Sequence, residues 1–366
     1  MIGTRGLPPS YGGVERAVAA LADELASRGL RVTVYGRAGY CDRALHDWHG
    51  VRQISLPCIR TKHLEAISHT ALATAHALAS REFDLIHFHA TGPALFASLA
   101  RLAGKASVAT VQGLDWRREK WGPVARTVLR LAARTAATVP NATIVVSRQL
   151  QHLLHVTYSV DATYIPNGVD LSDLGAADQS LEGLSSDGYV LFLGRIVPEK
   201  QVHLLIEAFA RLDTDKLLVI AGPSSHSDRY VRYVEDLAAG DDRVRIVGPR
   251  YGAEKGWLLS NASVFVQPST IEGLPIALLE ALGVGARTIV SDIPENVEAI
   301  TLGGVRFGHV FRSKDADDLR RAIQEVLEMP ADATADAGER VRREYAWNRI
   351  ATETEQVYRR ALTKAC

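Results

Sequence analysis

Ser269-Thr-Ile-Glu272-Gly273-Leu274-Pro275-Ile-Ala-Leu-Leu-Glu280-Ala-Leu282 decides how this chain folds. The apolar run before it, Ala262 to Val266, reads as a buried strand and ends at Gln267-Pro268-Ser269. A loop carrying Glu272 and Gly273 follows. A helix is predicted from near Pro275, because proline suits a first helical turn. One glutamate therefore sits in the loop and the other one to two turns inside the helix. Both can face the C-terminal edge of the strand, where open α/β sheets bind ligands. The N–H groups of Gly273 and Leu274 fall between them, at the positive end of the helix dipole, and offer a phosphate site. Carboxylates are poor phosphate ligands but accept well from sugar hydroxyls. A Glu pair at this spacing can also be a plain charged helix face. Its place after a strand, with Gly273 between, favours a nucleotide-sugar pocket.

The alternation of short apolar run and helical pattern extends outward in both directions. Upstream, strands are predicted at Arg31–Tyr35, Val51–Leu56, Asp84–Phe88, Ser107–Val111, Thr143–Val146 and Thr163–Ile165. Helices are predicted at Val14–Ser27, Lys62–Ser80, Pro93–Leu102, Pro123–Ala137 and Arg148–Tyr158. Asn167–Gly188 is rich in Gly, Ser and Asp, lacks periodicity and reads as a linker. Strands then resume at Tyr189–Leu193, Leu217–Ala221, Val244–Val247, Val264–Val266 and Arg287–Val290. Continuous apolar strands mean that both sheet faces are covered. The fold class is α/β, with two successive parallel units. A length of 366 residues also exceeds one ordinary core. The expected domains are 1–166 and 167–344, followed by an amphipathic helical tail, 345–366. Met1-Ile2 reads as part of a first strand that gives way at once to Gly3-Thr4-Arg5-Gly6, so either that strand is very short or the start misses a few residues.

Lys+Arg and Asp+Glu are both 42, which argues against nucleic acid as a bulk partner. Cys41, Cys58 and Cys366 lack close pairing or metal-ligand spacing, pointing to a reduced, cytoplasmic setting. No apolar run reaches the ~18–20 residues needed to span a membrane, and no basic-then-apolar leader opens the chain.

Three more segments fall where a strand gives way to a loop. Tyr11-Gly12-Gly13-Val-Glu15 precedes the first helix; adjacent glycines allow close backbone approach to an anion at a helix N-terminus, or simply make a turn. Gly194-Arg195-Ile-Val-Pro198-Glu199-Lys200 follows the first strand of the second half. There Arg195 and Lys200 could clamp a diphosphate or stand as an exposed basic pair. Ile86-His87-Phe88-His89 puts both histidines on one sheet face, His89 nearest the strand end, where an imidazole can donate to a substrate oxygen or serve structure alone. Metal binding there is disfavoured, as no carboxylate or cysteine follows at ligand spacing. Asp213-Thr-Asp215 has the spelling of a metal-binding DxD but lies between a helix and a strand start, at the wrong sheet edge. His152 and His155 share a helix face but have no acidic partner nearby in sequence.

Together these residues resemble a retaining glycosyltransferase of family 4, with the two-domain GT-B fold, over nearly the whole chain. "EGLPIALLE" matches that family's E-x7-E motif, "GRIVPEK" its Gly-Arg…Lys clamp, "YGGVE" its N-domain glycine loop and "IPNGVD" (Ile165–Asp170) its hinge-side segment. "GTRGLPPSYGGVER" with "GLDWRREKWG" resembles a bacterial branch containing rhamnosyltransferases and other cell-surface polysaccharide enzymes.

The resemblance implies two Rossmann-like domains with parallel sheets facing a central cleft, and a C-terminal helix crossing back to the N-terminal domain. It implies that Glu280 holds ribose hydroxyls and Glu272 hydroxyls of the donor sugar. Gly194, Arg195, Lys200 and the backbone at Gly273, Leu274 and Pro275 would bind the diphosphate. Gly12 and Gly13 would face phosphate and sugar, His89 would lie near the reacting centre, and Val247, Arg250 and Tyr251 would border the base. Gln112, Asp115 and Trp116 fall on the acceptor side. Relatives often have His where this chain has Gln112, which bears on the acceptor and not on the donor. The donor would be UDP-, GDP- or dTDP-linked, with no cofactor and no metal, because Arg195 and Lys200 supply the cations at the leaving phosphate. Domain closure would exclude water.

Trp116-Arg117-Arg118-Glu-Lys120-Trp121 leads into a helix with Arg126, Arg130 and Arg134 at four-residue spacing. This Trp116–Arg134 stripe is either a solvated face or a peripheral contact with an anionic inner membrane carrying a lipid-linked acceptor. A small natural product is as consistent with the donor site as a glycan intermediate, and the resemblance favours the glycan, in cell-surface polysaccharide or glycoconjugate synthesis. An epimerase or phosphorylase fits the glutamate pattern less well, and a nicotinamide enzyme would need a G-x-G-x-x-G that Gly3–Gly6 does not supply. A non-catalytic partner subunit would be expected to lack the clamp or the acids, and all four are present.

Overall fold

In the computed structural model the described residues are 1–366 except 10–11, 43, 62–63, 118–121, 175–182, 225–227, 330–335 and 366. Two compact units form: residues 1–117, 122–168 and 347–365 make the first, and 169–346 the second.

The first unit contains strands β1 (Thr33–Arg37), β2 (Asp47–Trp48), β3 (Val51–Leu56), β4 (Leu85–His89), β5 (Ala106–Val111), β6 (Ala142–Val145) and β7 (Thr163–Tyr164). They pair in the orders β2-β3-β1 and β4-β5-β6-β7, all parallel except β2 with β3. Met1 and Ile2 lie between β1 and β4. The Tyr35 amide donates to the Met1 carbonyl (3.0 Å), and Ile2 exchanges bonds with the His87 carbonyl (2.9 Å) and the His89 amide (2.8 Å). Every residue of β1 and β5 is buried, as expected of strands covered on both faces. The helices are α1 (Gly13–Ser27), α2 (Glu65–Ser80), α3 (Ala97–Leu102), α4 (Pro123–Thr138) and α5 (Arg148–Tyr158). The predicted helix Pro93–Leu102 is instead a 3₁₀ turn, Pro93–Phe96, running into α3, because Phe96 at ψ 0° breaks the α pattern. Lys62 and His63, read as the start of α2, lie outside the described residues, as does the middle of the linker, 175–182.

The second unit holds β8 (Tyr189–Leu193), α6 (Val202–Phe209), β9 (Leu217–Ala221), α7 (Asp228–Ala238), β10 (Val244–Gly248), α8 (Gly252–Asn261), β11 (Val264–Gln267), α9 (Ile276–Gly283), β12 (Thr288–Ser291) and α10 (Pro294–Ala299). A ribbon, β13 (Thr301–Leu302) with β14 (Val305–Arg306), precedes β15 (His309–Phe311), α11 (Ala316–Glu328) and α12 (Ala337–Glu344). The main sheet is wholly parallel, in the order β10-β9-β8-β11-β12-β15. Counted along the unit this is 3-2-1-4-5-6, a doubly wound sheet whose order reverses between β8 and β11. The first unit repeats the order, with Ile2 in first place and the reversal between Ile2 and β4. The last helix, α13 (Trp347–Ala365), belongs to the first unit. Its Ile350, Val357 and Ala361 join Val108 and Ile144 in that core, and a Cβ on Gly168 would strike the Trp347 ring at 2.5 Å.

One glycine fixes the strand ends of the second unit. Gly222, just past β9, has φ 149°, and a Cβ there would lie 1.8 Å from the Gly194 carbonyl oxygen. The loops after β8 and β9 therefore lie backbone to backbone. Gly222→Ala is expected to destabilise the second unit by roughly 2–4 kcal/mol through strain and overlap. That lowers its thermal midpoint by about 4–16 °C. An unchanged midpoint in calorimetry would contradict this packing.

Candidate active site

Helices leave opposite faces of a doubly wound sheet on either side of the strand reversal, so a crevice opens at the C-terminal ends of the two central strands. In the second unit these are β8 and β11. The loop after β8 carries Gly194 and Arg195, and the Gly194 amide donates to the Ala221 carbonyl at 2.9 Å. Pro198–Lys200 forms a 3₁₀ turn, ended by Gln201 at φ 52°, and α6 follows. The loop after β11 is tied to this turn, since the Thr270 amide donates to the Glu199 carbonyl at 2.9 Å.

The acids and bases of these loops meet in pairs. Lys200 Nζ donates to Glu272 Oε1 at 2.6 Å, with side chains 15% and 10% exposed. Lys255 Nζ donates to Glu280 Oε1 at 2.6 Å, with side chains 7% and 9% exposed. In both glutamates Oε1 is anchored, and Oε2 has no donor among the described residues. Each carboxylate thus has one oxygen held by a lysine and one left for a hydroxyl.

Beneath Glu272 lies a buried polar network. Gln267 Nε2 donates to Glu272 Oε1 (2.5 Å) and to Ser269 Oγ (2.8 Å). Ser291 Oγ donates to the Ser269 carbonyl (2.5 Å), and Asn296 Nδ2 to Ser291 Oγ (2.8 Å). These bonds hold the β11 loop in place. Pro275 is the N-cap of α9, one position outside the predicted helix, and its carbonyl accepts from the Leu278 amide. The amides of Gly273 and Leu274 have no acceptor among the described residues. Val247 lies in β10, Arg250 pairs with Glu254 at 3.7 Å, and half-exposed Tyr251 caps α8.

The reversal in the first unit brings Gly3 against β4. Gly3 has φ 125°, and a Cβ there would meet the His89 carbonyl at 2.2 Å. The two histidines of β4 share a face, with ring centroids 3.9 Å apart, but differ in company. His87 Nδ1 lies 2.7 Å from the Tyr358 hydroxyl and Nε2 2.7 Å from Thr110 Oγ1, so both nitrogens are spent on packing. His89 is 2% exposed, and neither nitrogen has a partner among the described residues. It lines a cavity of about 20 Å³ with Thr110, Gln112, Asn167 and Trp347, a volume near that of one water. Ala90, next in sequence, has φ 75°, a strained value of the kind that marks functional sites. Gly12 is the N-cap of α1 and Gly13 its first residue. Tyr11 lies outside the described residues.

On the side read as the acceptor's, Gln112 is engaged. Its Nε2 donates to Asn167 Oδ1 (3.3 Å), and Asn167 Nδ2 donates back to Gln112 Oε1 (2.8 Å). Asp115 and Trp116 lie in the short turn Asp115–Arg117. Trp121 and Arg118–Lys120 lie outside the described residues. Asp213 and Asp215 precede β9 at the N-terminal edge of the sheet, away from the reversal. His155 does have an acidic partner, contrary to the sequence reading: Asp161 Oδ1 at 2.9 Å, reached when the chain turns back after α5. Both side chains are exposed. Among the described residues no three His, Cys, Asp or Glu side chains gather as a metal site.

Sequence reasoning missed Lys255, Gln267, Ser291 and Asn296. The available signal was polar residues at strand ends, Gln267 and Ser291, closing otherwise apolar runs.

Residues 11–173 match the family described as Glycosyltransferase Family 4, and residues 178–344 match Glycosyl transferases group 1. The chain is a glycosyltransferase of this two-domain type. It is 28% identical to the phosphatidyl-myo-inositol mannosyltransferase of Mycobacterium tuberculosis over 366 residues, covering 95% of this chain and 93% of the relative. Among solved structures it is similar to the sucrose-phosphate synthase of Thermosynechococcus elongatus, with TM-score 0.82 and 22% identity over 96% of this chain and 94% of the other. It is also similar to Anabaena HepE in complex with UDP and glucose, with TM-score 0.79 and 18% identity over 96% of each chain. At these identities the two structures establish the fold, GT-B, for this glycosyltransferase.

Burial lowers the His89 pKa to about 3, so its imidazole is neutral at physiological pH and acts as donor or acceptor rather than as a cation. In the unfolded chain it titrates near 6.5. Between these values the unfolded state binds the extra proton, so stability is fully present above pH 6.5 and falls as the pH drops. The slope is up to about 1.4 kcal/mol per pH unit for each such histidine. His89→Gln is expected to flatten the slope by one histidine in urea unfolding between pH 4.5 and 6.5. An unchanged slope would contradict the burial of a neutral His89.

Proposed function

We propose that this glycosyltransferase moves a sugar from a UDP-, GDP- or dTDP-linked donor to an acceptor hydroxyl, with retention of configuration and without a metal ion. The observation that carries the reading is the pair of half-anchored carboxylates, Glu272 held by Lys200 and Glu280 by Lys255, with the open amides of Gly273 and Leu274 in the loop between them and Arg195 in the loop that also carries Lys200. Cations and amides suit a diphosphate, and single free carboxylate oxygens suit hydroxyls. Glu280 is assigned to the ribose, Glu272 to the donor sugar, and Val247, Arg250 and Tyr251 to the base. Gly194 lets the backbone approach the phosphates. Gly12, Gly13 and His89 serve the reaction from the first unit's own strand reversal, with Gln112, Asp115 and Trp116 on the acceptor side.

In the proposed step the acceptor oxygen bonds to the anomeric carbon on the face from which the diphosphate leaves. The bond between that carbon and the phosphate oxygen breaks, and the leaving phosphate takes the acceptor's proton. Arg195 and Lys200 meet the charge that builds on the phosphate, and this supply of positive charge is the ground for a reaction without metal. HepE's complex with UDP and glucose supports a nucleotide-sugar donor.

The acceptor proposed is a lipid-linked glycan intermediate at the cytoplasmic face of the membrane, within cell-surface polysaccharide synthesis. The rhamnosyltransferase-like segments Gly3–Arg16 and Gly113–Gly122 support the pathway, and the mannosyltransferase relative, named for phosphatidyl-myo-inositol, supports a lipid acceptor. No described helix is long and apolar enough to cross a membrane. Instead α4 has no acidic residue and exposes Val124, Val128 and Leu131 beside Arg130 and Arg134. On neighbouring α3, Leu99 and Leu102 are exposed as well. An apolar stripe edged with arginine suits an anionic bilayer, each arginine contributing about 1 kcal/mol.

Arg195→Ala is expected to raise the barrier by about 3–4 kcal/mol, a loss of 10²–10³ in kcat. It is measured as transfer from the donor the wild type uses, with the product anomer read by NMR in the presence of EDTA. Near-normal turnover, an inverted product or a need for divalent cations would overturn the corresponding part of the proposal. Flotation with vesicles is expected to rise with phosphatidylglycerol content and to fall several-fold in Arg130→Glu/Arg134→Glu. Binding indifferent to anionic lipid would remove the membrane contact.

A further inference from the structure

We infer that Lys255 is a positioning residue that makes Glu280 selective for the ribose diol of the donor, an inference that rests on the donor site proposed above. Their ion pair is the most enclosed among the described residues. Among the described residues Glu280 is the one partner of the lysine, so Lys255 keeps N–H groups to donate beyond the carboxylate.

Both backbones are immobilised. A Cβ on Gly256, next to Lys255, would meet the Leu174 carbonyl at 2.5 Å, and the Tyr189 hydroxyl donates to the Leu258 carbonyl at 2.8 Å. On α9, a Cβ on Gly283 would meet the Leu171 side chain at 2.6 Å, and one on Gly338 the Gly283 carbonyl at 2.8 Å. Close packing of α8 and α9 against their neighbours thus sets where the pair points.

A buried ion pair is a poor source of stability, because desolvation offsets most of the attraction, and an apolar pair of the same volume commonly does as well. The geometry points instead to selectivity. With Oε1 held by Lys255, Glu280 offers Oε2 alone, and the pair is neutral overall. A hydroxyl can donate to Oε2 while its own oxygen accepts from Lys255 Nζ, so the pair reads a group that is donor and acceptor at once. A phosphate can only accept and gains nothing from Oε2. A deoxy position leaves both groups unanswered. Sequence alone could not show this, because Lys255 looks like one more charge in Tyr251-Gly-Ala-Glu-Lys255.

The test is titration calorimetry of the full chain with UDP, GDP, their 2′-deoxy counterparts dUDP and dGDP, dTDP, and inorganic pyrophosphate. Wild type is expected to bind one ribonucleotide at least about ten-fold more tightly than its deoxy form, the worth of one hydrogen bond to a charged group. Lys255→Met is expected to shrink that ratio below about three-fold while pyrophosphate affinity stays within about two-fold, and Lys255→Arg to restore most of it. If Lys255→Met alone fails to fold by its nucleotide-free melting profile, Lys255→Met/Glu280→Gln removes the unpaired charge and is expected to fold without discriminating. A wild-type ratio kept by Lys255→Met, or by that double variant, overturns the inference. So does a wild type that binds ribo and deoxy forms alike. A wild type that binds dTDP, itself a 2′-deoxy nucleotide, in preference to UDP and GDP also overturns the inference, whereas one that binds none of the three overturns the donor site itself, a separate failure.

Discussion

Both units are governed by one topological constraint. A parallel sheet whose strand order reverses at its centre must open a crevice where its two central strands end. In the second unit the strands are β8 and β11. In the first they are Ile2 and β4. Arg195, Lys200, Glu272, Gly12, Gly13 and His89, to which the phosphates, the sugar and the reacting centre are assigned, lie at the ends of these four strands or in the segments that follow them. Gly3 and Gly222 show how closely the loops must run, each touching a neighbouring carbonyl where no side chain fits. The rest of each unit holds those strand ends at fixed height, through buried strands such as β1 and β5 and, in the first unit, the apolar face of α13.

Within the second crevice the acidic groups are restrained by bases. Glu272 and Glu280 would repel a diphosphate if left as bare anions. Paired with Lys200 and Lys255 they are close to neutral, and what remains exposed to a ligand is one oxygen each. Lys200 has a double part, because it anchors Glu272 in this structure and is also the cation assigned to the phosphate. A donor that draws Lys200 toward its phosphates would loosen Glu272 as its sugar arrives. Gln267, which donates to the same oxygen, keeps the carboxylate in place meanwhile.

Much of this was legible in the sequence, for a physical reason. Strands covered on both faces are written as unbroken apolar runs, so Tyr189–Leu193 and Leu217–Ala221 were located to the residue. Glu272, Arg195 and Lys200 stood out because they follow such runs directly. What escaped was short or non-local. Three-residue β15 and the β13-β14 ribbon are too brief for a pattern. Period two placed His87 and His89 on one face, but only the fold sorts them, because Tyr358 lies 271 positions from His87. Lys255 lies 25 positions from Glu280 on another helix, and Asp161 meets His155 only after the chain turns.

The central claim is that the strand reversal of the second unit binds a nucleoside diphosphate through protein cations alone. It is tested most directly by calorimetric titration of the intact protein with UDP, GDP and dTDP in EDTA, beside Lys200→Met. The account expects one nucleotide to bind without divalent metal, and its affinity to fall about ten-fold or more in the variant, as loss of a charge-assisted contact implies. Folded protein that binds none of the three, or binds only when a divalent cation is added, would contradict it.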